Sequence, residues 1–276
     1  MSKQYAMVID LHRCMGCGAC AIACKTENST QGRSNGQTFN WADFYIKEEG
    51  TFPNAYAETI PTRCNHCTDP ECVKGCPKPQ ALYKSEEGLT LFNVKYCIQC
   101  KKCQEKCPYS AKDVDKEHAQ YSVISFNEVG VETNPFYKDK TEMIKGCTSS
   151  GAEVSKVAGS LPPNRNEYEF RDTTNPRYPK DTRGKGTLKD QRTSGAVEKC
   201  FFCVHRIRNG EQPYCVVSCP AKARTVGDIN DPNSEVSKLI KQYKPKNLKN
   251  NKGEYLKAGE KGTQPNNYYI RSYNKV

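Results

Sequence analysis

The chain of 276 residues is long enough for one large domain or two small ones, yet its apolar residues make up only 36%, against roughly 45–50% in typical usage with glycine counted. A core of side chains alone would be thin, so the 17 cysteines must be considered as staples, either as disulfides or as metal ligands. No stretch approaches the ~18 apolar residues of a membrane span, which excludes an integral membrane protein, and Met1–Asp10 holds no apolar run of signal-peptide length, so no secretory leader of its own is expected.

Tyr5 to Asp10 reads as a short strand leading into the first cysteine group, Cys14, Cys17, Cys20 and Cys24. Ala19 to Glu27 reads as a short helix leaving it. Trp41 with Phe39, Phe44 and Tyr45 is expected as an aromatic core patch in preference to a cofactor box. The second group is Cys64, Cys67, Cys72 and Cys76, and the third is Cys97, Cys100, Cys103 and Cys107. Between them Ala81–Lys84 and Leu89–Phe92 flank Ser85-Glu-Glu-Gly88, a hairpin signal. From about Val131 to Ala196 the composition shifts to Pro, Asn, Gly, Thr and charge, the mark of a long surface excursion. It contains Cys147, which has no companion at ligand spacing and is expected to be a spare thiol. The fourth group is Cys200, Cys203, Cys215 and Cys219. Beyond it, Asp231 is a candidate cap, Pro232 suits a first helical position, and Val236, Leu239, Ile240 and Tyr243 fall on one helical face. The tail after this helix, rich in Lys and Asn and ending in tyrosines, is too polar to pack alone and reads either as a partner clamp or as a loose end.

Groups one and three share gaps of two, two and three residues, the bacterial ferredoxin run. Group two lengthens the middle gap to four and group four lengthens it to eleven. Three cysteines on a tight loop can cap three corners of a cube, whereas a fourth, carried off by the turn that follows, ligates the other cluster of a pair. Gly16 and Gly18 suit a loop whose backbone must pass close to sulfide, and Pro77, Pro108 and Pro220 stop the chain just after a ligand. Zinc is the competing reading, since two C-x-x-C pairs also make a zinc ribbon, but nothing in a zinc quartet requires a C-x-x-C-x-x-C triplet. Sixteen thiolates holding four oxidised 4Fe-4S cores would carry about −2 per cluster, taking the formal +11 down to about +3. The basic excess then serves as counter-charge for buried anions.

His12, His66, His118 and His205 are assigned to loop hydrogen bonding or to the surface. Arg13, Lys25, Lys101, Lys102 and Arg206 lie near the loops and are candidates for tuning cluster potentials. No phosphate-cradling glycine loop, Ser/His/Asp constellation or paired-carboxylate site emerges, so no catalytic residue is expected.

At its four groups the sequence resembles the iron–sulfur subunit of complex iron–sulfur molybdoenzymes, the dimethyl-sulfoxide-reductase superfamily. Tyr5-Ala-Met-Val-Ile-Asp10 and Cys20-Ala-Ile-Ala-Cys24-Lys-Thr-Glu-Asn28 resemble its first-cluster segment. Glu49-Gly-Thr-Phe-Pro53, Val226-Gly-Asp-Ile-Asn-Asp-Pro232 and Tyr269-Ile-Arg-Ser272 look most like the branch that serves arsenate reduction in anaerobic respiration.

The resemblance implies four 4Fe-4S clusters: one on Cys14, Cys17, Cys20 and Cys219; one on Cys24, Cys200, Cys203 and Cys215; one on Cys64, Cys67, Cys72 and Cys107; and one on Cys76, Cys97, Cys100 and Cys103. Some relatives lack the second cysteine of group three and hold a three-iron cluster there; Cys100 is present here. The resemblance also implies a large catalytic subunit carrying molybdenum or tungsten bis-pterin (bis-MGD), a possible membrane-anchor or quinol-oxidising subunit, and work on the outer face of the cytoplasmic membrane or in the periplasm after co-export with that partner.

The fold expected is α+β, with two bacterial-ferredoxin-like modules, the second inserted in the first, each binding two clusters. Module one takes 1–57 and 197–228, module two 58–130, an irregular insertion 131–196, and a helix with a partner-wrapping tail 229–276. The function expected is electron transfer to or from a catalytic subunit, with arsenate as its leading substrate. Polysulfide, thiosulfate, tetrathionate or dimethyl sulfoxide reductases and catechol dehydroxylases are the near alternatives. A cytoplasmic polyferredoxin of hydrogenase or formate dehydrogenase is a further one, and a nucleic-acid-binding zinc protein, prompted by the charge, is the third class.

Overall fold

The computed structural model describes residues 2–28, 30, 41–93, 96–110, 122–126, 195–248 and 263–271. Its strands in chain order are β1 (Tyr5–Asp10), β2 (Ala42–Glu49), β3 (Tyr56–Arg63), β4 (Leu82–Lys84), β5 (Thr90–Phe92), β6 (Ser125–Phe126), β7 (Val197–Glu198), β8 (Arg224–Asp228) and β9 (Asn267–Ile270). The described helices are short: α1 (Ala19–Asn28), α2 (Glu71–Lys74), α3 (Lys102–Lys106), α4 (Val204–Arg208), α5 (Tyr214–Val217) and α6 (Glu235–Gln242). Cys147, His118, Phe39 and nearly all of the 131–196 insertion lie outside the described residues.

β1 is the middle strand of a three-stranded sheet, antiparallel to β8 and parallel to β9. Side chains alternate across a strand, and β1 is buried on both faces. Met7 and Ile9 join the main core, where the cysteines lie, while Ala6 and Val8 meet Val236 of α6 and Ile270 of β9 in a smaller second core. Burying each such aliphatic side chain is worth about 1.5–3 kcal/mol. The β1–β8 pairing is what carries group one to group four across the whole intervening chain.

The hairpin predicted between groups two and three is present as β4–β5, paired antiparallel with Leu82 opposite Phe92. Trp41 is buried as expected of a core aromatic. Its ring meets Phe92 edge-on at 6.1 Å and Phe201 at 5.3 Å, so one side chain ties the hairpin to the fourth cysteine loop.

The structure departs from the sequence reading in four places. A second hairpin, β2–β3, pairs Ala42 with Arg63 through to Glu49 with Tyr56, where the sequence pattern predicts none. Residues 57 and 58, between which the sequence reading sets a boundary, both lie inside β3, and its pairing with β2 runs unbroken across them. Helix α6 begins at Glu235 and is capped by Ser234, whose Oγ accepts from Ser237 N at 3.1 Å. Asp231 instead turns the chain ahead of the helix, accepting from Asn233 N at 2.9 Å. Finally, the polar tail does not stand free at 263–271: β9 inserts beside β1, with Asn267, Tyr269 and Ile270 buried.

Replacing Ser234 by Ala removes the α6 cap and should lower stability by about 1 kcal/mol, read as a lower thermal midpoint. Iron content should stay unchanged, because α6 holds no cysteine.

Candidate metal centres

In every group the third and fourth cysteines are one helical turn apart. Cys20 and Cys24 lie within α1, whereas Cys72, Cys103 and Cys215 lie within α2, α3 and α5 and their partners Cys76, Cys107 and Cys219 follow at or just past the helix end. Residues at that spacing stand on one face about 5–6 Å apart between Cβ atoms. The first pair of each group sits on the loop before the helix, and there the backbone repeats one feature. The residue just before the second cysteine has a positive φ in all four groups: Gly16 at 68°, His66 at 44°, Gln99 at 59° and Phe202 at 63°. Such a conformation costs a non-glycine residue roughly 1–2 kcal/mol, and three groups bear it without glycine. Glycine suits position 16 for a second reason, since a Cβ there would stand 2.8 Å from Thr59 Oγ1 and force that side chain to shift.

All sixteen cysteines of the four groups are free thiols, which sets the disulfide reading aside. They gather in four sets. Cys14, Cys17, Cys20 and Cys219 line one pocket, and Cys76, Cys97, Cys100 and Cys103 line another. Cys67 and Cys72 have thiols pushed up first by burial and then by facing Cys64 and Cys107. Cys203 is raised by burial, then by Cys215, Cys24, Glu27 and Cys200. Among the described residues no three His, Cys, Asp or Glu side chains converge as a single metal ion would need. The sulfurs of the two outer sets line pockets, as ligands spread over the corners of a 4Fe-4S cube would.

Buried donors point the same way. Arg63, 1% exposed, spends Nη2 on Asn267 Oδ1 at 2.8 Å and lies over the Phe202 ring at 4.3 Å, while its Nε and Nη1 have no protein partner. Leaving such donors buried and unmet costs roughly 1–3 kcal/mol each, so a neighbour rich in acceptor sulfide fits the place. Fully buried His66 is held neutral, its pKa pushed well below the ordinary imidazole range by burial and by the charges of Lys199 and Arg63. Backbone amides already donate to thiols: Val197 N to Cys97 at 3.4 Å, Phe202 N to Cys200 at 3.4 Å and Ala223 N to Cys219 at 3.3 Å.

The four sets form a row. Arg224 donates to Cys20 Sγ at 3.1 Å and is also held by the charge of Cys215, so it stands between the Cys14 set and the Cys24 set. Lys199 precedes Cys200 and reaches Cys64 Sγ at 3.3 Å, joining the Cys24 set to the Cys64 set. Helices α2 and α3, each bearing a cysteine of one set and followed by a cysteine of the other, pack together with Gly75 against Lys106, and so join the Cys64 set to the Cys76 set. All eight cysteines of the two inner sets are buried, whereas Cys17 and Cys100 of the outer sets are exposed. The exposed apolar side chains Met15, Ile22 and Val217 sit beside the first outer set, and Ile98 beside the last.

Of the cations singled out from sequence, Lys25 feels the charge of Cys24, while the others face solvent or carboxylates. Arg13, Lys101 and Lys102 are exposed, Lys25 reaches Thr30 Oγ1 at 3.5 Å, and Arg206 pairs with Glu211 at 2.8 Å. Lys199 and Arg224 donate to sulfur directly, and only their closeness to Cys200 and Cys219 along the chain hints at it. His205, buried, meets Glu27 Oε1 at 2.7 Å; His12 is at the surface.

A 4Fe-4S dicluster domain family matches residues 55–135 and 186–229, and a 4Fe-4S binding domain family matches residues 7–27. The chain is 41% identical to the arsenate respiratory reductase iron-sulfur subunit of Shewanella sp. (strain ANA-3), over 98% of this chain and 97% of that one. It is 32% identical to a subunit of the selenate reductase of Mesobacillus selenatarsenatis, over 97% of this chain and 72% of that one. It is 31% identical to a putative dimethyl sulfoxide reductase iron-sulfur subunit of Halobacterium salinarum, over 97% and 79% respectively.

Burial pushes the Cys107 thiol up to about 11 and the Cys103 thiol up to about 12. In the cluster-free fold both are neutral at pH 7, and each must give up a proton to ligate. Cluster loading should therefore release protons and strengthen as pH rises from 7 toward 9, by roughly tenfold per unit for each proton released. Anaerobic reconstitution followed by pH-stat measurement checks this; loading that is flat with pH would contradict it. The cluster-free fold should respond oppositely, losing stability as pH climbs above the ordinary thiol range.

Proposed function

The chain belongs to the family of 4Fe-4S iron–sulfur subunits that carry electrons in multi-subunit oxidoreductases, and we propose that it serves a molybdenum or tungsten bis-pterin catalytic subunit that reduces arsenate. It is a non-catalytic electron-transfer subunit. The observation that carries the electron-relay reading is the row of four cysteine sets, buried in the middle and exposed at both ends. When bound, 4Fe-4S clusters supply one-electron redox steps.

Each residue set has a job in that scheme. Cys14, Cys17, Cys20 and Cys219 would hold the first cluster, and Cys24, Cys200, Cys203 and Cys215 the second. Cys64, Cys67, Cys72 and Cys107 would hold the third, and Cys76, Cys97, Cys100 and Cys103 the fourth. The packed aromatics Trp41, Phe92, Phe201 and Phe202 keep water from the inner pair, while the exposed apolar rims at Met15, Ile22 and Ile98 offer a docking surface at each end. Two ends suit two partners, the catalytic subunit at one and a quinol-side donor or anchor at the other. Groups one and four would make one ferredoxin-like module and groups two and three the module inserted in it. The full-length similarity to an arsenate reductase subunit supports arsenate over the other substrates. Such a complex would work on the outer face of the cytoplasmic membrane, carried out folded with its partner; fractionation of cells expressing both subunits tests that location.

Anaerobically purified protein should contain about sixteen iron and about sixteen acid-labile sulfide per chain. Cys17→Ser and Cys219→Ser should each perturb the same cluster signal in electron paramagnetic resonance, and Cys24→Ser and Cys215→Ser a different, shared one. Zinc in place of iron would defeat the cluster assignment, and unlike signals within a pair would defeat the pairing. Co-expressed with the large subunit, the complex should oxidise a reduced viologen on addition of arsenate. Purification as a monomer with no large partner would favour the polyferredoxin reading.

A further inference from the structure

Lys199 is fully buried, an unusual place for an ammonium group. An ammonium has three protons to donate, and here three acceptors take them: Cys64 Sγ at 3.3 Å, Cys200 O at 3.0 Å and Thr90 O. Among the described residues no carboxylate pairs with it. Its neighbourhood is cationic, since Arg63 is buried next to Cys200 and Lys84 donates to Cys67 O at 2.8 Å. A buried charge in such surroundings needs a strong anion beside it.

Lys199 is adjacent in sequence to Cys200, a member of one inner set, and hydrogen-bonds Cys64, a member of the other. The ammonium therefore stands at the junction of the two. Its charge also acts on Cys72 and Cys107, further members of the Cys64 set. Arg224 repeats the arrangement one step along the row, between Cys20 and Cys215. A fixed positive charge stabilises whichever state of a neighbouring group is more negative, and in a cluster that is the reduced state. At a few ångströms in a dry interior the effect exceeds tenfold in an equilibrium constant.

We propose that Lys199 is the positioning residue that sets the reduction potentials of the two inner clusters as a pair. It raises both, and it offsets the repulsion between electrons on neighbouring sites, so that the buried middle of the row is not an uphill gap between its exposed ends. The inference rests on the cluster assignment above.

The test is a redox titration followed by electron paramagnetic resonance on the wild-type chain and Lys199→Met, with iron counted in both. Cys17→Ser and Cys100→Ser identify the two outer signals, and the remaining two are the inner ones. With iron unchanged, Lys199→Met should lower both inner midpoints, so that their reduced-to-oxidised ratio at a fixed potential drops at least about tenfold, and leave the outer two in place. Lys199→Arg, which keeps the charge, should restore most of the shift. Unmoved inner midpoints at full iron content, or an equal shift of all four, would overturn the proposal. If Lys199→Met sheds clusters, Lys199→Gln replaces it, keeping a donor and dropping the charge. Cluster loss in both would assign Lys199 to assembly and overturn the proposal as well. Wild-type iron far below sixteen would instead fail the cluster assignment, a separate result.

Discussion

Cys20 and Cys24, Cys72 and Cys76, Cys103 and Cys107, and Cys215 and Cys219 each stand one helical turn apart, close along a single face yet in different sets. The three-residue gap is too long to close back on the loop that carries the first cysteines and too short to leave the neighbourhood. Each helix is therefore shared between two sets, which ties the Cys14 set to the Cys24 set and the Cys64 set to the Cys76 set, while Lys199 spans the junction between the two inner sets. Groups one and four satisfy this only if the two ends of a long stretch of chain meet, which is the task of the β1–β8 pairing. A chain with little apolar content achieves this because its sulfur-rich interior joins the aliphatic and aromatic side chains in one core.

Electrostatics then fixes what surrounds the row. Four anionic groups in one interior oppose one another, and exposed lysines screened by water do little about it. Only cations taken out of water along with the thiolates act strongly. Arg224 and Lys199 are 5% and 0% exposed and sit at two successive junctions of the row. The formal excess of basic residues is thus two populations, a large solvated one and a small buried one, and Lys199 and Arg224 of the second donate to sulfur.

The ligand spacing was legible because iron–sulfur geometry imposes it on the chain directly, and the strand before group one and the β4–β5 hairpin were legible from apolar pattern and turn residues. The β2–β3 hairpin was not. It carries Asp43, Glu48, Glu49 and Glu58 with Pro61 inside a strand, so neither alternation nor propensity marks it. Strand β9 was hidden for a different reason: its polar residues are buried in order to serve backbone. Asn267 Nδ2 donates to Cys64 O at 3.0 Å and Asn266 Nδ2 to His66 O at 2.8 Å, so hydropathy reads as surface what is interior. Ser234 displaced Asp231 as the cap because Asp231 and Asp228 already organise the turn before the helix. Lys199 and Arg224 could not be separated from the other basic residues, because burial, not residue type, distinguishes them.

The C-terminal segment is the last tie on the inner sets. Besides Asn266 and Asn267, it brings Thr263 onto Tyr109 Oη at 2.9 Å and Tyr269 Oη onto Pro61 O at 2.7 Å. Arg271 closes the segment on Asp10, whose backbone carbonyl accepts from Cys14 N at the start of the first loop. One short stretch therefore fastens the loop of group two, the end of group three and the entrance to group one. The contacts of Asn266 and Asn267 are hydrogen bonds to His66 O and Cys64 O, carbonyls of the second cysteine loop that would otherwise be buried unpaired. A polar strand supplies them through its side-chain amides, so residues 263–271 are both hydrophilic in sequence and largely buried in the fold.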